Sequence, residues 1–111
     1  QWNVFAVDIQ NEPHASSWGL LLDARRDWAA AAERLGNHIL GECPRWVVMV
    51  EGVGYEPGSV GSEMMVGLWW GENLVGVRQR PIRLNRTHRD KLVYAPHTYG
   101  PAVYMQPYFM A

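Results

Sequence analysis

Three short runs of β-branched and apolar residues, each stopping at a polar residue, constrain this chain more than any other feature. Val4-Phe5-Ala6-Val7-Asp8-Ile9 runs into Asn11-Glu12-Pro13-His14, and Trp46-Val47-Val48-Met49-Val50 runs into Glu51-Gly52. Leu92-Val93-Tyr94-Ala95 leads into Pro96-His97-Thr98-Tyr99. Near-continuous apolar runs of this length predict strands buried on both faces, as in parallel sheets. Asp27 reads as the N-cap of a helix, because Trp28, Ala31, Ala32, Leu35, Ile39 and Leu40 recur at helical spacing. Gly41 and Pro44 close it. Residues 16–26 and the glycine-rich residues 54–71 read as loops, and Asn73 to Val77 as one short helical turn. Strand, helix, strand, irregular crossover and strand give an α/β order with a parallel sheet.

All three strands place polar residues (Glu12, Glu51 and His97) at their C-terminal ends, the face on which β/α barrels build active sites. A closed barrel takes eight strands and typically about 250 residues. A chain of 111 residues therefore predicts a partial (β/α)8 TIM barrel. The chain opens on Gln1-Trp2-Asn3 and stops at Phe109-Met110-Ala111 without a start or stop pattern. We expect residues 1–111 to be a piece of one catalytic domain of a longer soluble chain.

Composition removes several classes. A hydrophobic fraction of 48%, with 6 Trp, 5 Tyr and 2 Phe, supports a packed core and excludes disorder. Ten Lys and Arg against 11 Asp and Glu leave a net charge of -1, without the basic excess of a nucleic-acid binder. No apolar stretch approaches the ~20 residues of a membrane span. The single cysteine, Cys43, excludes an intrachain disulfide framework. His14, His38, His88 and His97 lie at no zinc-binding spacing, and the glycines match no phosphate-binding loop, so no metal or cofactor is expected. Pro57-Gly58-Ser59-Val60-Gly61 lacks the first glycine of a nucleophile elbow. The basic residues between Arg78 and Lys91 read as a solvated crossover.

Asn11-Glu12-Pro13 is the sharpest motif. A carboxyl just past a buried strand, among Trp and His, can have its pKa raised by desolvation, as an acid catalyst needs. The neighbouring amide could bind a substrate hydroxyl. The same tripeptide also fits a turn whose Glu faces water. His97 and Tyr99, two residues apart, share one side of an extended segment. They can contact a sugar or hold a carboxylate, or simply pack. Trp69, Trp70 and Tyr104 are candidate sugar platforms, since an aromatic face covers the apolar side of a pyranose. Trp28 and Trp46 read as core. Glu51 reads as a structural or outer-subsite residue.

In order along the chain, several stretches resemble glycoside hydrolase family 5, in its cellulase branch. They are Phe5 to His14, Trp18-Gly19, Asp27-Trp28 with Ala31-Ala32-Glu33-Arg34-Leu35-Gly36-Asn37, Val50-Glu51-Gly52-Val53, Trp69-Trp70-Gly71-Glu72-Asn73-Leu74, and Leu92 to Tyr99. The resemblance implies strands four to six of the barrel and a retaining endo-β-1,4-glucanase acting on β-glucan such as cellulose. It implies that Glu12 is the acid/base and that Asn11 bonds the 2-hydroxyl of the sugar being cleaved. His97 and Tyr99 would contact that sugar and the nucleophile, and Trp70 and Tyr104 would line the leaving-group side. The family's nucleophile would lie beyond Ala111. Secretion is implied too, and Asn85-Arg86-Thr87 would then be a glycosylation acceptor. Another family 5 specificity (mannan or β-1,3-glucan) and a non-catalytic carbohydrate-binding module remain as alternatives. Binding modules are usually β-sandwiches, with alternating rather than continuously apolar strands.

Overall fold

The computed structural model describes residues 2–19, 23–54 and 68–110. The Gly/Ser motif expected at 57–61, and most of the glycine-rich loop, lie outside them. Three parallel strands, β1 (Ala6–Asp8), β2 (Val47–Val50) and β3 (Leu92–Tyr94), form one sheet in the order β1-β2-β3. Register pairs Ala6 with Val47 and Asp8 with Met49, then Val48 with Leu92 and Val50 with Tyr94. The strands are shorter than the apolar runs. Ladder bonds nevertheless continue past their ends, from Val47 N–H to Phe5 O (2.9 Å) and from Ala95 N–H to Val50 O (3.0 Å).

Helix α1 (Trp28–Glu42) begins where expected, with the Asp27 carboxylate accepting from the N–H of Ala30 at 3.0 Å. It runs through Gly41 and stops at Cys43, ahead of Pro44. Trp28, Ala29, Ala32, Gly36 and Leu40 form its buried stripe, while Leu35, at the stripe's edge, is exposed. The expected helical turn is a single 3₁₀ turn, Val75–Arg78.

Burial of the strands on both faces is corrected. Side chains alternate across a strand, so Val7, Val48, Val50, Leu92 and Tyr94 share one face, and that face packs into the core with α1. Ala6, Asp8, Met49 and Val93 share the other face, where Asp8 and Val93 are exposed. Among the described residues only one face of the sheet is covered by a helix. Phe5, at the head of β1, is 77% exposed. Trp28 is core as expected, Trp46 is only half-buried, and Trp18, from a segment read as loop, is fully buried. The Trp18 indole N–H donates to the carbonyl of Arg80 at 2.8 Å, tying that loop to the crossover.

The crossover is not a purely solvated basic segment. Arg80 meets both Glu33 oxygens, at 2.6 and 3.1 Å, and the N–H of Arg83 donates to Glu33 at 2.7 Å. Burial alone would raise the Glu33 pKa. The Arg80 guanidinium and the Arg83 N–H outweigh it and hold the carboxyl below its ordinary value. A depressed folded-state pKa contributes stability above the ordinary carboxyl pKa, and this is lost as pH falls through the depressed one. Arg80→Ala is expected to destabilise the protein by about 1–2 kcal/mol near neutral pH, given the pair's partial exposure. Unfolding by denaturant should show the difference shrinking in acid. An equal deficit at acid and neutral pH would contradict a stabilising Arg80–Glu33 ion pair.

Candidate active site

The expected convergence occurs at the C-terminal end of the sheet. Glu12 follows β1, Glu51 directly follows β2 and His97 follows β3. Each His97 ring nitrogen faces a carboxylate: Nδ1 lies 3.2 Å from Glu12 Oε1 and Nε2 3.0 Å from Glu51 Oε1. The Tyr99 hydroxyl donates a hydrogen bond to Glu12 Oε1. Glu51 Oε2 accepts the backbone N–H of Glu12 at 2.8 Å.

Local backbone geometry explains how these groups meet. Glu12 adopts φ 44, a left-handed conformation uncommon for a residue with a side chain. It turns the chain sharply between the end of β1 and Pro13. Gly71 folds a covering segment onto β2: its carbonyl accepts the N–H groups of Gly52 (2.9 Å) and His97 (3.1 Å). The Trp28 indole N–H donates to the carbonyl of Glu51 at 2.9 Å, fixing the end of β2 against α1.

The electrostatics correct one expectation. The Glu12 carboxyl is held below its ordinary value, not raised. The Tyr99 hydroxyl is the main cause; burial opposes it, and His97 adds to the lowering. The same bond pushes the Tyr99 hydroxyl up, since ionising it would place two negative charges together. Glu51 carries the raised carboxyl: burial is the main cause, the N–H of Glu12 opposes it, and the neighbouring Asp8 carboxyl adds to it.

An open cavity of about 330 Å³ adjoins Glu12, lined by Glu12, Trp69, Tyr99, Val103, Tyr104 and Gln106. The Trp69 and Tyr104 rings are tilted with centroids 5.2 Å apart. Glu72 holds this aromatic segment, accepting from the Trp69 N–H at 2.9 Å and the Tyr108 hydroxyl at 2.5 Å. Trp70 is absent from the lining; it is half-exposed and packs against His14, with centroids 5.6 Å apart. Asn11 is exposed beside Glu12. Of the expected site residues, Glu12, Tyr99 and Tyr104 therefore share the cavity, and His97 joins them through Glu12.

Sequence reasoning read Glu51 as a structural or outer-subsite residue, the structure shows it buried, and Asp8 was missed. Strand alternation carries the signal, because Glu51 falls on the same face as Met49, beside Asp8 on the neighbouring strand. Donor atoms of Asp8, Glu51 and His97 lie within 4.8 Å of one another, the one group among the described residues with metal-ligand potential. Spacing rules cannot find it, because its members come from three strands. Glu51 is fully buried: Oε2 accepts the N–H of Glu12, while Oε1 lies 3.0 Å from His97 Nε2 without making a hydrogen bond.

A family model described as cellulase (glycosyl hydrolase family 5) matches residues 1–110. An endoglucanase of Paenibacillus polymyxa is 44% identical over 107 residues, which are 96% of this chain and 25% of the relative. The major extracellular endoglucanase of Xanthomonas campestris pv. campestris is 37% identical, over 96% of this chain and 21% of the relative. In three dimensions the chain resembles an endocellulase of Pyrococcus horikoshii crystallised with cellotetraose. That match has a TM-score of 0.83 and 39% identity, covering 97% of this chain and 32% of the other. The chain thus spans about a quarter of the curated relatives it matches.

Proposed function

Because the chain belongs to the cellulase family of glycosyl hydrolases (family 5), we propose that the whole protein is a retaining endo-β-1,4-glucanase in which Glu12 is the acid/base. The observation that carries this reading is the meeting of Glu12, His97 and Tyr99 at one end of a parallel sheet, beside a cavity walled by Trp69 and Tyr104. A sugar ring can stack on those aromatic faces while Glu12 reaches the glycosidic oxygen. Strands β1 to β3 correspond in this reading to the fourth to sixth of eight.

Retaining hydrolysis uses two carboxyl groups about 5–5.5 Å apart, one a nucleophile and the other alternating as acid and base. The fully buried Glu51 is not assigned the nucleophile's role; the family resemblance implies a nucleophile beyond Ala111. Its negative charge near Glu12 would raise the carboxyl that Tyr99 and His97 now hold down, restoring a proton for the leaving oxygen. Asn11, exposed beside Glu12, is assigned to bond the hydroxyl next to the anomeric carbon. Trp70, the chain neighbour of the cavity-lining Trp69, is assigned to the leaving-group side with Tyr104. The extracellular relative from Xanthomonas campestris pv. campestris supports secretion of the whole protein.

Initial rates of the full-length protein on carboxymethylcellulose, mannan and β-1,3-glucan test the substrate. Carboxymethylcellulose should be cleaved fastest, with a rapid loss of viscosity that marks internal cuts. Preference for mannan or β-1,3-glucan would assign the other specificity.

A further inference from the structure

Glu51 is the one charged side chain fully buried among the described residues. A buried carboxyl is retained at a desolvation penalty, so its contacts indicate its role. Two of them lead to the proposed acid. Oε2 accepts the N–H of Glu12 at 2.8 Å, at the residue whose φ of 44 needs an outside restraint. Oε1 makes no hydrogen bond but lies in close contact with the His97 ring, 3.0 Å from Nε2, and the other nitrogen of that ring lies 3.2 Å from Glu12 Oε1. Asp8 faces the same carboxyl from β1, and Gly71 closes over it from the covering segment.

We propose that Glu51 is a positioning residue for the acid: it clamps the backbone of Glu12 and steers the His97 ring onto Glu12 Oε1, without touching substrate. The proposal rests on the reading of Glu12 as the acid. A carboxyl acid transfers its proton only when held within hydrogen-bond reach of the leaving oxygen. Releasing either end of the clamp lets Glu12 swing away from that position. The loss should therefore grow with the demand for a proton, whereas a general weakening of the fold affects every substrate alike.

The test uses the full-length protein and its Glu51→Ala, Glu51→Gln and Glu12→Gln variants. For each, kcat/KM is measured on an unactivated cello-oligosaccharide and on dinitrophenyl cellobioside, whose leaving group departs without a proton. Glu51→Ala should lower kcat/KM on the oligosaccharide about 10²-fold, the effect of small misplacements. Its loss on the aryl substrate should be at least tenfold smaller. Glu51→Gln, whose amide oxygen still accepts the Glu12 N–H, should fall between Glu51→Ala and wild type with the same selectivity. Equal losses on both substrates, or no loss on the oligosaccharide, would overturn the positioning role. If Glu51→Ala does not fold, the same criterion applied to Glu51→Gln decides. Glu12→Gln separates the two readings. If it too lacks leaving-group selectivity, the acid assignment fails and the positioning role with it; if it keeps that selectivity while the Glu51 variants do not, only the positioning role fails.

Discussion

Glu12→Gln in the full-length protein is expected to reduce turnover of unactivated cellulosic substrate by about 10²–10⁴-fold, the usual worth of general acid–base assistance. Glutamine preserves the shape, and its amide oxygen can still accept from Tyr99, which holds Glu12 Oε1 now. What it lacks is a transferable proton. Affinity for a cello-oligosaccharide, read by calorimetric titration, should therefore change little while kcat collapses. Turnover within threefold of wild type would show that Glu12 is not the acid.

Gly71→Ala is expected to be strongly destabilising, although Gly71 lies outside the proposed catalytic residues. The glycine has φ +80, and a methyl there would lie 2.5 Å from Glu51 Oε2, with Glu12 Cγ and His97 Cβ both at 3.3 Å. Left-handed strain for an L-residue is about 1–2 kcal/mol, and overpacking a filled site about 1–3 kcal/mol. Together they predict about 2–5 kcal/mol of destabilisation, seen as a lower Tm in the full-length protein. The two contributions can be separated. In a Glu51→Ala background the clash with Oε2 disappears, so the added methyl should be tolerated better than in the wild-type background. An unchanged Tm, or strict additivity of the two substitutions, would contradict the close packing of Gly71 on Glu51.

The sheet was legible in the sequence because apolar runs ending at Glu12, Glu51 and His97 report strand direction as well as strand existence. The N-cap Asp27 and the start of α1 were legible for the same local reason. What the sequence concealed depends on contacts between distant segments. Glu51 is followed by glycine, as in an exposed turn, yet it is buried because the segment around Gly71 folds over it. Glu12 sits among the apolar and aromatic residues that raise a carboxyl pKa, yet Tyr99, donating from beyond β3, reverses the direction. Adjacent tryptophans were equivalent in sequence and are not in space, since Trp69 walls the cavity and Trp70 meets His14. Phe5 and Val93 read as buried, but no helix covers the face carrying Val93 among the described residues, and Phe5 lies at the head of an edge strand.

The most direct measurement of Glu12's role is chemical rescue of the full-length Glu12→Ala variant. The truncated side chain leaves room for a small anion near the anomeric carbon. In a double-displacement enzyme lacking its acid/base, azide can attack the glycosyl intermediate without a base to activate it. With dinitrophenyl cellobioside and azide, the variant should accelerate and release β-cellobiosyl azide, identified by its anomeric proton coupling in NMR. Wild type should release cellobiose alone. A variant that azide does not accelerate, or a product of α configuration, would contradict the assignment of Glu12 as the acid/base of a retaining enzyme.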